Sequence, residues 1–134
     1  MRYAKLFFTA FPIIIALDVL WIGGFALNFY RSQLGSILAE GVIWPAALAF
    51  YVFFVFALIV FVLEPSLQAK SVKKALLLGA LFGFATYMTY DLTNLATSTG
   101  WSPLVAVVDI VWGTALTAVS SILTFLIASR VYKL

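Results

Sequence analysis

Three carboxylates carry the chemistry this chain could do. Asp18, Asp91 and Asp109 fall inside long apolar stretches, and no Lys, Arg or His lies within those stretches to neutralise them. A charged carboxylate near a bilayer centre costs about 2.5–3.5 kcal/mol on insertion scales, so each of the three needs a partner or a purpose. Donors stand nearby in the sequence: Tyr87, Tyr90, Thr93 and Asn94 surround Asp91 in TYMTYDLTNLATSTGWSP, Trp21 follows Asp18 in DVLW, and Trp112 follows Asp109 in DIVW. Tyr and Thr hydroxyls, Trp N–H and the Asn amide can all donate to a carboxylate. Carboxylates held together out of water would share a proton, which suits a counter-ion for a cation or an acid–base pair.

The alternatives to carboxylate chemistry are few. There is no Cys, which excludes disulfides, a thiolate nucleophile and a Cys-ligated metal, and no His, the usual neutral-pH base and commonest metal ligand. The remaining acids, Glu40 and Glu64, belong to loops or span ends. No metal and no cofactor is expected, although so many aromatic residues leave a bound pigment or quinone open.

The elements that position these acids follow from composition. Of 134 residues, 65% are hydrophobic and 10% charged, and the mean hydropathy is +1.14. Such a chain belongs in a bilayer. A helix needs roughly 20 apolar residues to cross the hydrocarbon core, so the length predicts one domain, residues 1–134, of four transmembrane helices at about 6–28, 43–63, 75–97 and 103–129. The fold class is therefore all-α, a polytopic bundle. The start, Met1-Arg2-Tyr3-Ala4-Lys5, resembles that of a signal peptide, but the apolar run is too long, carries Asp18 and has no small-x-small cleavage site, so it is expected to be a retained span.

Sorting Lys and Arg by compartment puts Arg2, Lys5, Lys70, Lys73, Lys74, Arg130 and Lys133 on one side against Arg31 alone on the other. That asymmetry predicts both termini in the cytoplasm. The net charge of +3 is spent at span ends, with no basic patch interleaved with exposed aromatics, so no nucleic-acid partner is expected. Trp44-Pro45 and Trp101-Ser102-Pro103 open the second and fourth helices, with Trp as an interfacial anchor and Pro harmless in a first turn. All three intramembrane Asp residues then sit in the outer half.

At about 100° per residue, Gly79, Gly83, Tyr87, Asp91 and Asn94 share one stripe of the third helix, and Asp109, Gly113, Thr117, Ser120 and Thr124 share one stripe of the fourth. Gly79 and Gly83 form a small-xxx-small pair that admits a second backbone, and Gly113 offers the same on its partner. On the first helix Asp18, Trp21 and Asn28 fall on one side. The expected ligand-binding cluster is thus Asp18, Trp21, Tyr87, Tyr90, Asp91, Asn94, Asp109 and Trp112. Phe29-Tyr30-Arg31 and the Phe-rich second helix read as lipid-facing bulk and interfacial anchoring, and Lys70, Lys73 and Lys74 as charges that obey topology and could touch anionic lipid head groups.

Interhelical polar contacts contribute about 0.6 kcal/mol on average, so such a cluster could serve purely as glue. Three acids at one depth, with no basic partner and several aromatic neighbours, are more than glue requires. Two aspartates facing each other is also the arrangement of intramembrane proteases, but Val-Val-Asp109-Ile-Val-Trp-Gly lacks the Gly-x-Gly-Asp pattern of those enzymes. The repeated Asp-x-x-Trp motif lies on helices of opposite direction, so a simple duplication does not explain it.

Several longer strings resemble one family: Leu17-Asp18-Val-Leu-Trp21-Ile-Gly23, Phe29-Tyr30, Phe50-Tyr51, Gly79-Ala-Leu-Phe-Gly83, Tyr87-Met-Thr-Tyr-Asp91-Leu-Thr-Asn94-Leu-Ala-Thr97 and Asp109-Ile-Val-Trp112-Gly113-Thr114. Together they are similar to a bacterial family of small four-span membrane proteins, domain-of-unknown-function family 2177. The resemblance implies four spans and a bacterial inner membrane, and it implies no activity.

The leading functional expectation is binding or transport of a small cationic or amphipathic, lipid-like molecule through an outward-facing polar and aromatic pocket, with membrane lipids as surroundings. Four spans would need a homodimer to enclose a transport path, and the charge asymmetry would make it parallel. Two other classes stay open: a carboxylate-based membrane enzyme acting on a lipid or isoprenoid, and a structural or assembly subunit.

Overall fold

The computed structural model describes residues 1–134. Every regular element is helical. Four helices are long and apolar enough to cross a membrane: α1 (Arg2–Ile37), α2 (Trp44–Gln68), α3 (Val72–Thr97) and α4 (Pro103–Arg130). Local chemistry sets their starts. The Ser71 side chain caps α3 by accepting the Lys74 N–H at 3.0 Å, and Ser102 caps α4 by accepting the Val105 N–H at 3.3 Å, with Pro103 in the first turn.

Two helices outrun the apolar segments that announce them. α1 does not stop near Asn28 but passes through a π-helical turn at Ile22–Ala26, continues as α-helix over Leu27–Leu34 and ends in a 3₁₀ turn at Gly35–Ile37. α2 likewise contains a π-turn at Ile59–Leu63 and reaches Gln68. A π-turn inserts one residue into the helical repeat and changes the phase of everything after it.

α3 and α4 form the tightest seam. A Cβ added at Gly79 would come within 2.5 Å of the Ser121 hydroxyl and 3.1 Å of the Thr117 carbonyl, and one at Gly83 would strike the Gly113 carbonyl oxygen. At Gly113 the ring of Tyr87 occupies the space a side chain would need. Small residues thus let two backbones approach, where dispersion and Cα–H contacts replace the hydrophobic drive that lipid does not supply. Two buried hydroxyls of α4 bond their own helix, Thr117 to the Gly113 carbonyl at 2.7 Å and Ser121 to the Thr117 carbonyl at 2.6 Å, while those of Ser120 and Thr124 have no partner.

The two ends of the bundle differ. At the basic end all four helices converge on an apolar core that includes Leu6, Ile14, Leu58, Val62, Leu67 and Phe125. Arg2 Nε meets Glu64 Oε1 there at 2.6 Å, tying α1 to α2. Towards the other end α2 parts from α3. The Phe54 and Phe82 rings still touch, with centroids 5.3 Å apart, but above them the Trp44–Leu58 stretch keeps close backbone contact with α1 and loses it with α3.

Candidate functional site

The space left where α2 and α3 part is a cavity of about 440 Å³ lined by Phe50 of α2, Thr86, Tyr87 and Tyr90 of α3, and Asp109 of α4. Each lining group has a local cause. Tyr87 is held against Gly113, so its ring forms the inner wall. Tyr90 is 55% exposed at the rim and packs edge-on against Trp101, ring centroids 5.5 Å apart. Thr86 satisfies itself on the Phe82 and Gly83 carbonyls. Asp109 is then the one carboxyl on a wall otherwise made of three aromatic rings and the self-bonded Thr86.

Asp109 Oδ1 accepts the Tyr30 hydroxyl at 2.8 Å, and Tyr30 in turn accepts the Trp21 indole N–H at 3.3 Å. Trp21 stacks on Trp112, ring centroids 4.5 Å apart and planes 7° from parallel. The Trp112 N–H donates to Asp18 Oδ1 at 3.1 Å, and the Tyr51 hydroxyl donates to Asp18 Oδ2. The aspartates of α1 and α4 are therefore bridged by three aromatic residues, Tyr30, Trp21 and Trp112, with Tyr51 joining at Asp18. Asp18, buried and bonded at both oxygens, is a satisfied joint between α1, α2 and α4.

Asp91 is different. It has no solvent exposure, and neither carboxyl oxygen has a hydrogen-bond partner of ordinary geometry. It faces Asp109 and the Trp101 indole, whose own buried N–H is likewise without a partner. A buried polar group left unpaired costs about 1–3 kcal/mol. This corner of the bundle, next to the cavity, is therefore underbonded.

The structure groups the residues expected from sequence into three sets. Tyr87, Tyr90 and Asp109 line the cavity, with Asp91 behind them. Asp18, Trp21 and Trp112 form the adjoining joint and do not line it; both indoles instead border a shallow apolar recess of about 250 Å³ on the α1–α4 flank. Asn94 joins neither, because its amide donates to the Tyr90 carbonyl at 2.8 Å. Thr93 is spent in the same way on its own helix, so the polarity of TYMTYDLTNLAT is partly internal.

Two residues in the network lay outside the expected cluster. Tyr30, read as interfacial anchoring, is the donor to Asp109, and Tyr51, on a helix read as lipid-facing, is a donor to Asp18. Tyr30 lies nine positions after Trp21, which in an unbroken α-helix puts the two about 180° apart. The π-turn removes one residue from that count and brings them to within about 80°. The same rephasing turns Asn28 outward, where it is exposed, and the expected wall of Asp18, Trp21 and Asn28 does not form. The Gly23-Gly24 pair inside the turn is the one local signal for this break. Tyr51 offers none beyond being a hydroxyl on an apolar helix.

No group of three or more acidic, His or Cys side chains that could hold a metal is assembled. A family model described as predicted membrane protein (DUF2177) matches residues 3–126. No curated protein and no solved structure matches the chain.

Proposed function

The chain belongs to the DUF2177 family of predicted membrane proteins, and from that premise we propose that this multi-pass protein binds an amphipathic molecule with a cationic or hydrogen-bond-donating head. The observation that carries the reading is the cavity between the far halves of α2 and α3, where Asp109 reaches a wall of Phe50, Tyr87 and Tyr90. An amine there would gain a carboxylate partner and the faces of aromatic rings, each cation–π contact contributing about 0.5–2 kcal/mol. An anionic head would meet Asp109 with no basic side chain in the lining to offset it.

The parting of α2 from α3 supports entry from the side, because an apolar tail can stay among the exposed Phe50 and Phe53 side chains while the head reaches Asp109. Seven of the eight basic residues at the opposite end support cytoplasmic termini, an inner-membrane setting and a cavity near the outer face. Transport of the bound molecule, by a parallel homodimer, is the extension of this reading that four spans suggest.

Three probes of equal chain length separate the contributions: hexadecylamine, hexadecanol and hexadecanoic acid, titrated into detergent-solubilised protein and followed by the fluorescence of Trp101 and its neighbours. We expect the amine to bind tightest and the acid weakest, and Asp109→Asn to bring the amine down to the level of the alcohol. Equal binding of amine and acid, or none by any probe, would overturn the reading.

A further inference from the structure

A second cavity lies at the basic end, remote from the first. It has a volume of about 370 Å³ and is lined by Leu67 and Lys70 at the end of α2, Phe125 and Ser129 of α4, and Lys133 and Leu134 beyond it. Two ammonium groups and one hydroxyl thus surround an apolar floor. Neither lysine is paired with an acid: the single ion pair of the chain is Arg2 with Glu64, which uses the only acidic side chain at this end.

The backbone makes these two lysines unlike the others. Lys70 and Lys133, with φ of 50° and 55°, are the only non-glycine residues in the left-handed region, and both line this one cavity. A side chain there costs about 1 kcal/mol or more, and the position just past a helix end is one that glycine usually fills. Lys70 sits in such a motif, with Lys70 N–H bonded to the Leu67 carbonyl at 3.1 Å and Ser71 N–H to the Ser66 carbonyl at 3.1 Å. Lys133 is flanked likewise by Tyr132 N–H on the Ile127 carbonyl at 3.3 Å and Leu134 N–H on the Ala128 carbonyl at 3.0 Å. These are side chains whose roots are fixed on both sides. Strain of this kind persists where the surroundings hold it, and it clusters at binding sites.

We propose that this cavity is a binding site for a phosphoryl anion, supplied by the head group of an anionic phospholipid. The phosphate sits between the Lys70 and Lys133 ammonium groups, Ser129 turns its hydroxyl from the 3.3 Å bond it makes to the Leu126 carbonyl, and the start of an acyl chain lies over Leu67 and Phe125. The favourable field of the helix C-termini on the lysines alone does not require both to converge on one hollow. The site is independent of the amine-binding cavity at the other end.

The test is native mass spectrometry of the full chain released from micelles doped with phosphatidylglycerol or phosphatidylcholine of matched chains. We expect the intact protein to retain one phosphatidylglycerol in preference. The double variant Lys70→Gln/Lys133→Gln should weaken that retention about ten-fold, while Lys73→Gln/Lys74→Gln, which removes the same charge outside the cavity, should change it less than about two-fold. Lys70→Gly adds a readout of opposite sign: relief of the left-handed strain should raise the thermal midpoint while lipid retention falls. Displacement of the lipid by millimolar inorganic phosphate would support the anion site and give it a soluble source. Equal weakening by the two double variants, or no preference between the lipids, would overturn it.

Discussion

The two ends of this bundle use the same four helices for opposite purposes. At the basic end, side chains such as Leu58, Ile59 and Leu63 are wholly buried, Arg2 is paired with Glu64, and the Ser66 hydroxyl with the Val62 carbonyl at 2.6 Å. At the far end, α2 stands away from α3, a carboxylate is buried with neither oxygen bonded, and a tryptophan N–H beside it is unpaired. The apolar core closes where all four helices converge, and the bundle opens beside Asp109 where α2 and α3 part. The polar residues of α3 and α4 thus divide their labour along the helix axis, with glycines and hydroxyls at the seam below and Tyr87, Tyr90 and Asp109 facing a void above.

The strongest way to break this division is to wedge the seam itself. Gly83→Leu would drive a side chain into the Gly113 carbonyl, a backbone atom that cannot step aside. We expect a loss of about 3 kcal/mol or more, seen as failure to recover folded protein in detergent. Gly24→Ala is its counterpart: nothing lies within 4 Å of that position, so stability should change by less than about 0.5 kcal/mol.

A smaller effect should come from the closed end. Leu58→Ala leaves a cavity in the convergent core, and in a bilayer the loss is chiefly of dispersion contacts, about 2 kcal/mol. Thermal unfolding in micelles measures it, and binding of an amphiphile at the far end should survive.

Smaller again is the tether of α2. Tyr51→Phe removes the hydroxyl that joins α2 to Asp18, for about 1 kcal/mol. Its sharper consequence is geometric. The chain has no cysteine, so spin labels at Leu48→Cys and Thr89→Cys report the α2–α3 separation without background, and the distance distribution should broaden towards longer values in Tyr51→Phe. An unchanged distribution would mean that the far half of α2 is held by packing alone.

The smallest pair tests the π-turn. Tyr30→Phe loses the bond to Asp109 and should cost about 0.5–1 kcal/mol, whereas Asn28→Ala, on the exposed side, should cost nothing measurable.

What the sequence disclosed and what it hid follow from these same residues. Four apolar stretches announce four helices because burial in lipid needs length and hydropathy, and both can be counted. The spacing of Gly79, Gly83 and Gly113 marks a seam because close approach needs small residues at a helical repeat. Tyr30 stayed hidden because helical phase was carried across a π-turn that shifts it. Tyr51 stayed hidden because α2 is apolar on all sides, so no periodicity says which way it points. Asn94 and Thr93 misled in the other direction, since a polar residue in a span can satisfy itself on its own backbone.

One measurement reaches the contrast between the two ends directly: native mass spectra of the gently extracted protein, of Asp109→Asn and of Leu58→Ala. An occupied far-end cavity predicts a specific co-purifying amphiphile on the unaltered protein and on Leu58→Ala, and its loss from Asp109→Asn. Apart from a phospholipid held by Lys70 and Lys133, the same bound species on all three, or on none, would contradict a ligand site at Asp109 and leave the polar end of the bundle as a place where helices meet.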